Sequence, residues 1–187
     1  MSASRIVGIG HYLPPKVVTN FDLMKTMETT NEFIVERTGV HKRRHAEPDQ
    51  SATDLAAIAC RAAVKDAGLT MDDIDLVIMN TITPDHADPG SAYFLQSKLG
   101  MGTRPALEIR AQCAGIIYGM ALADSFIASG LYRHVLVVCS EVLSKRMDGS
   151  YDGRNIAILL GDGAGAVVVG PANGGEAGIL SSIMHTA

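Results

Sequence analysis

Between residues 74 and 142, short apolar runs alternate with longer segments of helical period, and this alternation constrains the fold more than any other feature of the chain. Residues 74–82 (IDLVIMNTI) form a continuous apolar run of strand length, as expected of a strand buried on both faces. A helical segment, SAYFLQSKLG, follows at 91–100, then the strand-like ALEIRA at 106–111. An apolar helical stretch spans 114–130, and HVLVVCSEV at 134–142 is again a strand. Strand–helix–strand–helix–strand order implies βαβ units with right-handed crossovers, and so a layered α/β domain.

The flanking sequence fits the same domain. Residues 5–11 read as a first strand that breaks at Pro14-Pro15. Asn20 is placed to cap a short helix over 21–28, and Asn31 to cap a second one that stops at Gly39. A basic patch follows: His41, Lys42, Arg43, Arg44 and His45. Ser51 with Asp54 resembles a capping box opening a long Ala-rich helix, and Gly68 stands where a glycine ends one. Towards the end, IAILL (156–160) and AVVVG (166–170) flank GDGAG, read as a turn, and 178–185 reads as a further strand. No repeat, low-complexity tract or linker interrupts the 187 residues, which read as one domain.

With 47% hydrophobic and 19% charged residues, the chain can build a core. Abundant Gly and Ala with no Trp suggest layers packed backbone to backbone. The net charge of −4 argues against generic nucleic-acid binding. No apolar run approaches the ~18 residues of a membrane span, and the N-terminus lacks the apolar core of a signal peptide. Three widely spaced cysteines (Cys60, Cys113 and Cys139) fit neither a zinc pattern nor a disulfide framework, so the expectation is no metal and a reducing, cytoplasmic setting.

Cys113 sits between a strand and a helix. Such a junction holds a side chain up at a sharp turn, and a helix N-terminus favours the thiolate form of a cysteine placed there. Backbone N–H groups at the same end can act as oxyanion donors. The following helix is apolar all round, through Ile116, Ile117, Met120, Leu122, Phe126 and Ile127, which predicts a buried helix. Gly115 and Gly119 would let a neighbouring backbone come close. Cys60, mid-helix among alanines, and Cys139, within a strand, read as small buried hydrophobes.

Four segments, in order, carry a resemblance: GIGHYLPPKVVTNFDL, NEFIVERTGVHKRRH, RAQCAGIIYGMALADSFI and GRNIAILLGDGAGAVVV. Together they nearly span the chain, and it resembles the N-terminal half of a β-ketoacyl-acyl-carrier-protein synthase III, a thiolase-superfamily condensing enzyme. The resemblance implies a thiolase-like fold, αβαβα when complete, of which residues 1–187 are the N-terminal domain. It implies that Cys113 takes an acyl group from coenzyme A, and that malonyl-acyl carrier protein then condenses with it, losing CO2. It implies coenzyme A contacts at Thr29, Phe33, Arg37 and Arg154, with Phe33 standing where the family has a Trp. A coenzyme A thioester enters as substrate, and no cofactor is expected. The implied partners are acyl-CoA, an acyl carrier protein (with the basic patch 41–45 as a possible greeting surface), the C-terminal half of the enzyme, and a second copy in a two-fold dimer with residues 74–111 near the interface. The family's catalytic His and Asn belong to that C-terminal half and have no counterpart in this chain, so the expectation is a piece of a longer protein with an uncovered apolar face.

Departures narrow the reading. Arg110 and Gln112 precede the cysteine where small residues are common, and Asp88 replaces an apolar residue that reaches the partner's acyl pocket. Both point to a primer other than acetyl. GDGAG precedes a strand and not a helix, so it lacks the dinucleotide-loop context and reads as structural. His11, His86, His134 and His185 carry no recognisable motif. Two alternatives stay open: an acyltransferase using Cys113 without decarboxylation, and a non-catalytic partner subunit of a synthase.

Overall fold

The computed structural model describes residues 4–173 and 177–185. Strands β1 (Ser4–Tyr12), β2 (Lys16–Thr19) and β3 (Lys42–His45) and helices α1 (Asn20–Leu23) and α2 (Asn31–Thr38) make up the first quarter. Then come α3 (Ala52–Asp66), β4 (Leu76–Asn80), α4 (Ser91–Leu99), β5 (Ala106–Ile109), α5 (Gly115–Ala128), β6 (Val135–Val142), α6 (Arg154–Ala157) and β7 (Asp162–Pro171). A five-stranded sheet has the order β1-β7-β6-β4-β5, and β2 pairs with β3 in a separate ribbon. The expected parallel core is present, since β4 runs parallel to both β5 and β6. The other half differs: β7 is antiparallel to both β6 and β1, making the sheet mixed.

Side-chain parity sorts the core into two layers. Val77, Met79, Leu136, Val138, Ala164, Ala166 and Val168 face α3 and α4, while Leu76, Ile78, Val135, Val137 and Val169 face α5. The Gly and Ala content has a visible use here. Cβ atoms built on Gly8 and Gly10 would overlap the α3 backbone at Ala59 and Ala63, so glycine lets β1 lie directly against α3. The capping box at Ser51 and Asp54 is formed, and Gly68 adopts φ 68 just past the helix. A smaller cluster of Val18, Leu23, Ile34 and Ile158, with Met27 and Phe33 against it, joins the β2–β3 ribbon to α1, α2 and α6.

Several readings need correction. The first two helices are capped by Thr19 and Thr30, one residue before the asparagines, and the first lasts a single turn. Asn20 is instead buried, its amide donating to the Val40 carbonyl and accepting from the Arg43 guanidinium. Four of the five residues of the basic patch form strand β3, and Arg43 at its centre is no surface charge: it is 6% exposed, also bonded to the Ile158 carbonyl at 2.9 Å. GDGAG is no turn: residues 162–165 belong to β7, all paired with β6 and the last two also with β1. Its structural reading stands, because the buried Asp162 carboxylate accepts from the Ala46 and Ser144 amides and the Ser144 hydroxyl. The first two residues of IAILL close helix α6. Residues 177–185 form no strand; the Ile179 amide donates to the Ser4 carbonyl, and Leu180 and Ile183 are exposed.

Candidate active site

A 3-10 turn, Gln112–Ala114, joins β5 to α5 and leaves Cys113 exposed at the head of the helix. Gln112 has φ 44, a left-handed conformation that a residue with a Cβ adopts only at a cost. The turn uses two of the amides expected to serve as oxyanion donors: Ala114 N–H donates to Ala111 and Gly115 N–H to Gln112. Asn80, the last residue of β4, brackets the turn from below. Its Oδ1 accepts from Ala111 N–H at 2.9 Å and its Nδ2 donates to the Gln112 carbonyl at 3.1 Å.

Helix α5 is less buried than its composition suggests. Gly115, Gly119, Ala123 and Ile127 face the sheet, but Ile117 is 47% exposed and Ile116, Met120, Leu122 and Phe126 are only half-buried. The two glycines do permit close approach, but to side chains of the sheet, Asn80 and Val137, and not to a backbone. Beside α5 the sheet is bare. Ile9, His11, Cys139, Gly165 and Val167 with Ile116 line a hollow of about 370 Å³.

The other cysteines behave as their settings require. Cys60 is fully buried, and burial pushes its thiol up strongly. Burial likewise pushes Cys139 up to about 11, against a hydrogen bond with Asn80 that pulls it down.

Thr29, Phe33 and Arg37, within one stretch of sequence, and the distant Arg154 come together in space. Arg37 and Arg154 hold their guanidinium carbons 4.5 and 5.3 Å from the centre of the Phe33 ring. Thr29, Phe33 and Arg154 line a cavity of about 240 Å³ with Glu28 and Thr30. The Thr29 hydroxyl and Arg154 Nε are buried beside it without hydrogen-bond partners. Sequence reasoning missed Tyr151, which stacks on Arg154 at 3.7 Å, and the Glu28 carbonyl that accepts from Arg154. It also missed Asn80, the polar residue that ends LVIMN and had been read into a continuous apolar run. His86 packs against Phe94 at the surface, and Asp88 is exposed.

The family model for 3-oxoacyl-[acyl-carrier-protein] synthase III matches residues 107–187, a span that includes Cys113, α5 and β7. The β-ketoacyl-[acyl-carrier-protein] synthase III of Geobacillus kaustophilus is 49% identical over 176 residues, covering 94% of this chain and 56% of that protein. The crystal structure of 3-oxoacyl-[acyl-carrier-protein] synthase III from Aquifex aeolicus superposes with a TM-score of 0.86 at 41% identity, covering 90% of this chain and 54% of that one. The priming β-ketosynthase of a polyketide biosynthetic pathway gives the same TM-score at 36% identity, over 91% of this chain and 50% of that one. The chain thus spans about half the length of the relatives it matches. In sequence and in fold, these residues match about half of the β-ketoacyl-[acyl-carrier-protein] synthase III proteins they resemble, with the layered α/β arrangement of the solved members.

Proposed function

We propose that this chain supplies the nucleophile and the coenzyme A contacts of a β-ketoacyl-acyl-carrier-protein synthase III. The observation that carries the reading is Cys113, exposed at the head of α5 within the span matched by the family model. In the first step the Cys113 thiolate attacks the carbonyl of an acyl-CoA. The tetrahedral intermediate expels coenzyme A as a thiolate, which takes up a proton, and the acyl group stays on sulfur as a thioester. In the second, malonyl-acyl carrier protein loses CO2 and its carbanion attacks the thioester, releasing Cys113 and a 3-oxoacyl carrier protein. The acyl group needs no cofactor to move, because the thioester already carries the energy.

Thr29, Phe33, Arg37 and Arg154 are assigned to the nucleotide end of coenzyme A. A flat ring flanked by guanidinium groups suits a purine and its phosphates. The enolate-stabilising His and Asn are assigned to a C-terminal half outside this chain. A primer other than acetyl, a two-fold dimer of complete subunits and a cytoplasmic setting complete the reading; among the described residues no helix is long and apolar enough to cross a membrane.

The test is an assay of the full-length gene product with acyl-CoA and malonyl-acyl carrier protein. Release of CO2 with a 3-oxoacyl product, lost in Cys113→Ala, is the expected result. Acyl transfer to another acceptor without CO2 would favour a plain acyltransferase. Function retained by Cys113→Ala would favour a scaffold subunit.

A further inference from the structure

Asn80 is a costly residue where it stands. It is 2% exposed and ends a strand whose four other members, Leu76 to Met79, are apolar and buried. A buried carboxamide is tolerated only when both its ends are bonded. Both ends are bonded, and to the same turn: Oδ1 to the Ala111 amide and Nδ2 to the Gln112 carbonyl. The partners fix the orientation of the amide, since an N–H must meet the oxygen and a carbonyl must meet the NH2. The two bonds straddle Gln112, whose φ of 44 the turn must hold against its own preference. The next residue is Cys113. Gly115 reports the same closeness independently, because a Cβ there would overlap Asn80 Cγ, Oδ1 and Nδ2 together.

We propose that Asn80 is a positioning residue for Cys113, its carboxamide clipping the turn that presents the nucleophile. The clip joins the central strand of the parallel core to the start of α5, so the sulfur inherits the rigidity of the sheet. It works only with glycine at 115, so Asn80 and Gly115 act as a pair. The inference rests on the acyl-transfer reading of Cys113.

The test uses the full-length protein with Asn80→Ala, Asn80→Asp, Gly115→Ala and the double variant N80A/G115A. Acylation of Cys113 by a series of acyl-CoAs is followed by intact mass, and exchange of the Ala111 amide by hydrogen–deuterium measurement. In Asn80→Ala the maximal acylation rate falls at least ~10-fold while the half-saturating acyl-CoA concentration is unchanged, and the Ala111 amide exchanges faster; such a fall equals about 1.4 kcal/mol of barrier. Asn80→Asp keeps the acceptor and loses the donor, so Ala111 stays protected although acylation still slows. Gly115→Ala resembles Asn80→Ala, and the double variant is no slower than Gly115→Ala alone. Wild-type acylation with unchanged Ala111 exchange in Asn80→Ala would overturn the proposal, as would a loss residing wholly in the half-saturating concentration. Should the unaltered protein accept no acyl group, the acyl-transfer reading fails by itself. The clip is then judged by Ala111 exchange and by the rate of iodoacetamide labelling of Cys113, where unchanged values in Asn80→Ala sink it.

Discussion

Three cysteines in one chain differ only in surroundings, and that difference has a direct readout. At pH 8, iodoacetamide should label Cys113 and spare Cys60 and Cys139 in the native protein. Cys60 is sealed in the core beneath α3, and a Cys139 thiol raised to about 11 leaves only ~0.1% thiolate at that pH. Peptide mapping checks this; labelling of Cys139 ahead of Cys113 would contradict it. At the hollow proposed for coenzyme A, Arg154→Ala should weaken acyl-CoA binding about 10-fold, through loss of the guanidinium that packs on Phe33 and Tyr151 and is proposed to meet phosphate, and leave the rate at saturation nearly intact. A split of KM from kcat in steady-state kinetics is the check. Cys113, Phe33, Arg37 and Arg154 could be singled out in the sequence because each lies in a stretch resembling the family, and Thr29 because it stands just before one. Asn80 was not, since its role depends on a contact across 31 residues that no local spacing encodes.

At the scale of elements, the long helix and the parallel strands were legible because their signals are local: a capping box, a terminal glycine, a run of apolar residues. The Asp54 carboxylate of that box shows how the cap depends on pH. Burial raises it, but hydrogen bonds from Lys98 and Ser51 outweigh burial and hold it below its ordinary value. Its contribution is therefore full above the unfolded carboxylate value near ~4 and is lost as pH falls through the lower native value. Asp54→Asn should be less stable at pH 7 and approach the unaltered protein on acidification, as read by thermal melts across pH. The Gly10 contact predicts a larger effect. Gly10→Ala must push β1 off α3, an overpacking cost of roughly 1–3 kcal/mol or more, visible as a lowered midpoint in denaturant. The β2–β3 ribbon and the strand nature of GDGAG were not legible. Their pairing partners are distant in sequence, and their composition, basic in one case and Gly-rich in the other, imitates loops.

For the whole molecule, the main feature is asymmetry of cover. One face of the sheet is sealed by α3 and α4, while the other, among the described residues, carries α5 as its one helix, with Tyr132 and Ile179 beside it, and leaves Ile9 63% exposed by the hollow at Ile116 and Cys139. An apolar face of this kind favours association, so residues 1–187 prepared alone should self-associate in light scattering, and a monodisperse monomer would contradict this. That α5 is half-buried here, where its composition called for a buried helix, has the same origin: a helix apolar on all sides sits against one layer. The measurement that tests the central claim most directly is peptide-resolved mass spectrometry of the full-length protein after incubation with a set of acyl-CoAs. The account predicts one acyl group on Cys113, free coenzyme A released in equal amount, and neither in Cys113→Ala. Coenzyme A release with Cys113 unmodified, or an acyl group fixed elsewhere in the chain, would contradict it.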